Sequence, residues 1–342
     1  MATQLKWGIM TTGWIARKFV IDLKRSRTGR LVAVGARKRE DAEKFAAEFG
    51  AERAHGGYDA LLADKNVDAV YIGTLHPQHL EWAVKAAEAG KHILCEKPLA
   101  LNRADSERII AAVKRHKVFL MEAFMYRCHP QTAKLVELVR SGAIGEVRLI
   151  KAAFNVARPF DPEHRIFKRE LGGGAILDLG CYPISFSRLI AGAAQGKPFA
   201  EPVEFKATGR LHPVARSDEY AAASVKYPGD IIAELSCCSM TVHDISASIH
   251  GSQGRIEIPT PFFPGLDGRD ESFRLYRAGT ETPEEFKFSG SVPLYAHEAD
   301  TVAAAIAAGQ LESPAMTHAD TIANMALLDQ WRAAVGMKYD GE

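Results

Sequence analysis

Three residues of this chain have the types and settings for proton transfer: Lys97, Asp178 and Tyr182. Lys97 belongs to Cys95-Glu96-Lys97-Pro98, at the end of an apolar run, His92-Ile93-Leu94-Cys95, that reads as a buried strand. In open α/β sheets ligands bind just beyond the carboxyl ends of the strands, so a carboxylate and an ammonium at this place face a ligand. Pro98 fixes its own φ and disfavours helix at Lys97, which predicts an extended turn. Taken alone, the four residues read equally well as a solvated Glu–Lys pair closing a strand. Asp178 and Tyr182 lie in Gly172-Gly173-Gly174-Ala175-Ile176-Leu177-Asp178-Leu179-Gly180-Cys181-Tyr182. On a helix they are spaced i, i+4 and share a face, and the preceding glycines permit close backbone approach to another domain. A purely structural Asp–Tyr pair is the alternative. A phenol with an ordinary pKa of about 10 needs help at neutral pH, and a neighbouring ammonium supplies it by favouring the phenolate. Lys97 and Tyr182 together suit a carbonyl–alcohol reaction.

The elements that must position these residues follow two rhythms. From the N-terminus, apolar strands (5–10, 31–36, 67–72, 91–95 and 118–121) alternate with helical segments (14–24, 41–49, 80–89 and 103–115). Such alternation predicts an α/β fold with a doubly wound parallel sheet and right-handed crossovers, ending near residue 123. Beyond it, a helix at 130–140, a strand at 147–155 and a helix at 176–191 precede β-rich stretches at 202–212, 219–226, 231–242, 246–250 and 254–258. Helices at 296–308 and 317–335 close the chain. The expected architecture is a dinucleotide-binding domain, 1–123, and a substrate-binding and dimerisation α/β domain, 124–342, on a large, mostly antiparallel open sheet. Ser236-Cys237-Cys238-Ser239-Met240 is poor in charge for an exposed strand, which suits a homodimer or higher homo-oligomer.

The first strand runs into Gly8-Ile9-Met10-Thr11-Thr12-Gly13-Trp14-Ile15-Ala16. Laid on a G-x-G-x-x-G/A fingerprint, Thr11 takes the place of the first glycine, Gly13 permits a pyrophosphate to approach, and Ala16 permits tight helix–strand packing. Amides at the helix N-terminus would face the phosphates, so Thr11, Thr12, Gly13, Trp14 and Ile15 are candidate contacts. An ordinary strand–turn–helix is the competing reading. An NAD site usually has an acid at the end of the second strand, about 20 residues on. This strand ends Gly35-Ala36-Arg37-Lys38-Arg39, with no acid before Glu40. Arginine there suits a 2′-phosphate, so Arg37 and Lys38 favour NADP(H), with NAD(H) possible; a solvated basic turn is the alternative. Gly73-Thr74-Leu75-His76-Pro77-Gln78-His79 follows the next strand and falls under the ribose and nicotinamide. Thr74, His76 and His79 are candidates there, His79 also reading as a packing or capping residue.

At 342 residues two domains are expected, at about 150 residues each. The apolar and charged contents, 47% and 25%, are ordinary for a globular protein. A net charge of +1 gives no reason to expect nucleic acid or an anionic membrane as partner. Five cysteines form no CxxC pair and no zinc pattern, and no metal is expected. The odd count fits free thiols in a reducing compartment. No apolar signal core and no run of roughly 20 apolar residues is found, which points to a cytoplasmic metabolic protein.

These residues resemble the Gfo/Idh/MocA oxidoreductases over nearly the whole chain. The most specific matches are Glu96-Lys97-Pro98 and the Gly-Gly-Gly-x-x-x-Asp-x-Gly-x-Tyr segment at 172–182. Trp7-Gly8-Ile9, Tyr71-Ile72-Gly73-Thr74, His76-Pro77-Gln78-His79, Leu94-Cys95 and Leu120-Met121-Glu122-Ala123 resemble the branch of dimeric dihydrodiol dehydrogenases that also act as NADP-dependent D-xylose dehydrogenases. The resemblance implies an N-terminal Rossmann domain and a hydride-transferring enzyme acting on a sugar, polyol or dihydrodiol. It implies Tyr182 exchanging a proton with the substrate oxygen, Lys97 tuning it, Glu96 and Lys97 beside the cofactor, and Asp178 orienting substrate. Arg127 and Arg165 are further substrate candidates. Many members carry histidine in place of Tyr182, and tyrosine favours the sugar and dihydrodiol branch. Arg37 would hold the 2′-phosphate; a second basic residue expected four places on is Asp41 here, so Lys38 or Arg39 must substitute or NADP(H) binds more weakly. The family also contains members without catalysis, which makes a non-catalytic NAD(P)-sensing regulator of the same fold the second reading.

Overall fold

A computed structural model describes residues 4–339. The chain forms two compact units. One holds the chain up to Cys128 with Leu266–Gly268 and Ser291–Ile322. The other holds His129–Gly265, Arg269–Gly290 and the chain from Ala323 onward.

The first unit is built on β1 (Leu5–Met10), α1 (Trp14–Leu23), β2 (Gly29–Ala36), α2 (Arg39–Phe49), β3 (Arg53–Gly56), α3 (Tyr58–Leu62), β4 (Ala69–Ile72), α4 (His79–Glu88), β5 (His92–Glu96), α5 (Arg103–His116) and β6 (Leu120–Ala123). Its six strands lie in the order β3-β2-β1-β4-β5-β6, all parallel. This is the doubly wound arrangement in which the order reverses beside β1, where a dinucleotide crevice opens. Continuous apolar strands are expected because helices cover both faces; Met10, Val32, Ile72, Ile93 and Ile109 are buried in one core. The strand expected at 67–72 is thus fourth in chain order. β3 and α3 precede it unannounced, since Arg53-Ala54-His55-Gly56 is short, half-buried and without apolar alternation.

The second unit contains α6 (Pro130–Arg140), β7 (Val147–Ala157), α7 (Cys181–Ala194), β8 (Glu204–Leu211), β9 (Asp218–Tyr227), β10 (Ile231–Cys238), β11 (Met240–Gly251), β12 (Gly254–Ile258), β13 (Glu271–Arg277) and β14 (Glu284–Phe288). The sheet order is β14-β13-β12-β11-β7-β10-β9-β8. Pairing is antiparallel except between β7 and β10. Strand residues alternate between buried and exposed, as in β9 and β10, so one face of the sheet is covered. α7 contributes to that cover and is buried throughout Cys181–Ala193.

The two last helices are α8 (Leu294–Ala307) and α9 (His318–Ala334). Sequence rhythm assigns α8 to the second domain, yet it belongs to the first unit. The cause is a set of polar ties. Asp300 accepts hydrogen bonds from the Ser26 and Thr28 hydroxyls, both at 2.6 Å, and Asp22 accepts from the Tyr295 amide at 3.1 Å. Among the described residues no helix is long and apolar enough to cross a membrane.

Candidate active site

The β1–α1 turn begins with a conformational signature. Thr11, in the first-glycine position, has φ 100°, in the region that favours glycine. Its amide donates to the Gly35 carbonyl at 3.0 Å, tying the turn to β2. Gly13 caps α1 without any side-chain acceptor. A methyl group there would meet only Thr11 Oγ1, at 3.7 Å, so the protein leaves the helix N-terminus open to a ligand. Ala16 is fully buried. Trp14, at the start of α1, is 67% exposed, and Ile15 lies beside Gly73.

Thr11 and Thr12 also border a cavity of about 460 Å³ with Arg37, Lys38, Asp41 and Tyr58. Arg37, Lys38 and Asp41 are exposed. Among the described residues neither Arg37 nor Lys38 is ion-paired, leaving both cations available to an anion. Tyr58 was not a sequence candidate; it arrives on α3, which had no periodic signal. Farther along the sheet, Thr74 Oγ1 is buried and has no hydrogen-bond partner among the described residues. The open helix end, the basic cavity and this orphaned hydroxyl fit a phosphorylated dinucleotide.

Lys97 follows the carboxyl end of β5, and the Lys97–Pro98 peptide bond is cis. Glu96, inside the strand, is buried and accepts a hydrogen bond from the Tyr71 hydroxyl; Tyr71 stacks on Phe19 at 4.1 Å. Glu96 Oε2 also receives the Lys97 amide at 3.3 Å. Glu96 therefore looks inward and orients the turn, whereas Lys97 is half-buried.

His79 holds the same turn, contrary to its expected contact with the cofactor. The ring is fully buried, with Nδ1 3.1 Å from the Pro98 carbonyl and Nε2 3.0 Å from that of Thr74. Burial lowers its pKa, so it is a neutral brace at pH 7. His76 is also buried, its ring 5.8 Å from that of His79. Arg127 likewise differs from the pocket-lining arginine expected. Its side chain is 2% exposed and committed to Asp320 at 2.9 Å and the Tyr126 hydroxyl at 3.1 Å, which makes it part of a buried ion pair.

In the second unit, Gly173 lies where a methyl group would come 2.6–2.7 Å from the carbonyls of Arg165, Ile166 and Lys168. Only glycine lets the strand of backbone after β7 close on the following helix. Ile176–Gly180 forms a π turn that leads into α7. The i, i+4 relation of Asp178 and Tyr182 therefore spans a π–α junction rather than uniform α-helix, a geometry frequent at functional sites. Asp178 is buried and pairs with Arg165 at 2.8 Å. Arg165 and Arg158 also lower the pKa of His164, after burial itself. Tyr182 is 3% exposed. Its ring packs against Phe154, Phe262 and Phe263 at centroid distances of 5.2, 5.3 and 5.9 Å. Phe262 and Phe263 arrive from beyond β12, and no spacing in the sequence links them to Tyr182.

Comparison with known proteins gives a consistent answer. Residues 5–124 match the model described as "Oxidoreductase family, NAD-binding Rossmann fold", and residues 132–257 match "GFO/IDH/MocA C-terminal domain". The trans-1,2-dihydrobenzene-1,2-diol dehydrogenase of Xenopus laevis is 34% identical over 345 residues, covering 99% of this chain and 100% of the relative. An uncharacterised oxidoreductase of Rhizobium meliloti, ORF334, is 36% identical over 284 residues, 81% of this chain and 83% of its own. Among solved structures, the 3-ketoreductase KijD10 from Actinomadura kijaniata, in complex with NADP and TDP-benzene, superposes with a TM-score of 0.85. It is 27% identical and covers 97% of this chain and 98% of its own.

Proposed function

The chain belongs to the Gfo/Idh/MocA oxidoreductases and is an NAD(P)-dependent enzyme acting on CH–OH groups, and on that premise we propose that it is an NADP(H)-preferring dehydrogenase of a sugar, polyol or dihydrodiol. In this reading the first unit binds the dinucleotide and the second the substrate. Arg37 and Lys38 at the cavity rim meet the 2′-phosphate. Asp41 on the same rim is a like charge to that phosphate and weakens the preference.

The observation that carries the chemistry is the setting of Tyr182. Its phenol ring lies among three phenylalanines, on a helix whose preceding π turn bears the Asp178–Arg165 pair. A bound nicotinamide supplies or accepts hydride at the substrate carbon. Tyr182 exchanges a proton with the oxygen on that carbon. Lys97 favours the phenolate by its positive charge, which makes a group with a pKa of about 10 useful at neutral pH. Asp178, held by Arg165, orients substrate hydroxyls as an acceptor. Thr74 and His76 serve the nicotinamide end. Arg127 maintains the wall through its ion pair.

We also assign a homodimer to the uncovered face of the eight-stranded sheet. A cavity of about 980 Å³ crosses that face, bordered by small side chains such as Ala153, Ala222, Ser236 and Ser246. Light scattering on the purified chain should give twice the monomer mass.

The test is a panel of aldoses, polyols and dihydrodiols assayed with NADP⁺ and NAD⁺, for the parent enzyme and for Tyr182→Phe. NADP⁺-linked turnover is expected, and the variant should lose roughly 10²-fold or more in kcat while still binding NADPH. Unchanged turnover in Tyr182→Phe would remove the acid–base assignment.

A further inference from the structure

The segment that carries Asp178 and Tyr182 starts without a local cap. Ala175 precedes the π turn and offers no side-chain acceptor to cap it. Helix starts leave such amides without intrahelical partners, and their partial positive charge favours an anion. The anion comes from another element, β9. Asp218, its first residue, is 1% exposed, and its Oδ2 accepts the Ile176 amide at 2.6 Å. The Ala175 amide also favours the charged form of this carboxylate. Gly174, at φ 127°, presses against the other oxygen: a methyl group there would stand 2.3 Å from Asp218 Oδ1.

A second side chain ties the same turn. The Tyr339 hydroxyl donates to the Gly173 carbonyl at 2.9 Å. The Arg332 guanidinium lies 4.6 Å over the Tyr339 ring, and its charge favours the ionised Asp218. Burial acts against ionisation and pushes Asp218 up to about 6, so the carboxylate is charged at neutral pH. Asp218 thus places a buried negative charge on the one end of this helical run that needs it.

We infer that Asp218 is a positioning residue for the reaction: by accepting the Ile176 amide at the start of the run, it fixes where Asp178 and Tyr182 stand. The inference rests on the assignment of Tyr182 as acid–base. Displacement of a reacting group by about 1 Å costs on the order of 10²-fold in rate, so a loosened helix start should register in turnover before it registers in cofactor affinity.

The experiment compares Asp218→Ala, Asp218→Asn and Tyr182→Phe by kcat, KM and NADPH binding, with circular dichroism to verify folding. Asp218→Ala is expected to lose at least about tenfold in kcat with NADPH affinity within about twofold of the parent. Asp218→Asn keeps an acceptor oxygen and should recover most of that loss. Gly174→Ala, made with Asp218 intact, forces a methyl group onto the carboxylate and should lower kcat in the same way; it serves if Asp218→Ala does not fold. A full kcat per folded molecule in either disrupting variant overturns the proposal. If Asp218→Ala is unaffected while Tyr182→Phe is crippled, only the positioning role fails. If Tyr182→Phe is itself unaffected, the acid–base assignment fails and the inference with it.

Discussion

The carboxyl of Glu122 accepts the amide of Leu99 at 2.9 Å, from inside the sheet. Together with His79 on the Pro98 carbonyl, it clamps the Lys97-Pro98-Leu99 turn from two directions. The ammonium at the carboxyl end of β5 is therefore carried on backbone that β6 and the start of α4 hold still.

Glu122 makes this clamp pH-dependent. Burial pushes its carboxyl up to about 7, with Asp320 adding to the rise, while the Leu99 amide, the Thr321 hydroxyl and Arg127 oppose it. The folded state then keeps a proton that the unfolded chain loses near 4.5, so stability is fully present below that pH and declines as pH rises toward 7. The full loss is on the order of 3 kcal/mol. Thermal unfolding at pH 5 to 8 should show a shallower decline for Glu122→Gln than for the parent. Equal slopes would show that Glu122 does not titrate in this window.

Thr11 holds a glycine's backbone with a β-branched side chain. Such strain costs on the order of 1–3 kcal/mol, partly offset by the greater chain entropy of glycine in the unfolded state. Thr11→Gly should therefore stabilise the protein by about 1 kcal/mol, a rise of roughly 2–4 °C in Tm. A lower Tm would mean that Thr11 packing, for instance of its methyl against Gly73, outweighs the strain.

The rim of the cavity beside Thr11 and Thr12 carries opposing charges, Arg37 and Lys38 against Asp41. Arg37→Ala should weaken NADPH binding by at least about tenfold and leave NADH nearly unchanged, since a charge-assisted pair to phosphate contributes on the order of 1.5–3 kcal/mol. Asp41→Lys should tighten NADPH alone. Fluorescence titration of both nucleotides measures each effect; parallel changes for NADPH and NADH would contradict the 2′-phosphate assignment.

Much of the fold was legible because apolar periodicity is a local property. β1, β2, β5 and their helices stand within a few residues of their expected places, and so do β7, β8, β9 and β12, whereas the single strand expected at 231–242 ends at Cys238 and its last residues open β11, which starts at Met240 rather than 246. What escaped depends on distant partners. β3 is held in register by β2 rather than by its own composition. The stretches forming β13 and β14, after Gly268, carry charges that hide their alternation. Glu96-Lys97-Pro98 and the glycine-led segment at 172–182 stand out in the sequence by spacing and residue type. The roles of His79 and Arg127 were not, because an imidazole aimed at two carbonyls and a guanidinium aimed at Asp320 look the same in sequence as ligand-binding groups. Asp218 had no motif at all; its importance comes from the Ile176 amide that it meets.

The return of the chain to the first unit after Gly290 has a consequence for biosynthesis. When the ribosome has released only the segment up to Cys128, Asp22 lacks the Tyr295 amide and Ser26 and Thr28 lack the Asp300 carboxylate. α1 likewise lacks α8, the helix packed against it. Domains that are contiguous in sequence can fold as they emerge, but this one must wait for α8. The nascent nucleotide-binding half thus remains without these contacts until nearly the entire polypeptide has been translated.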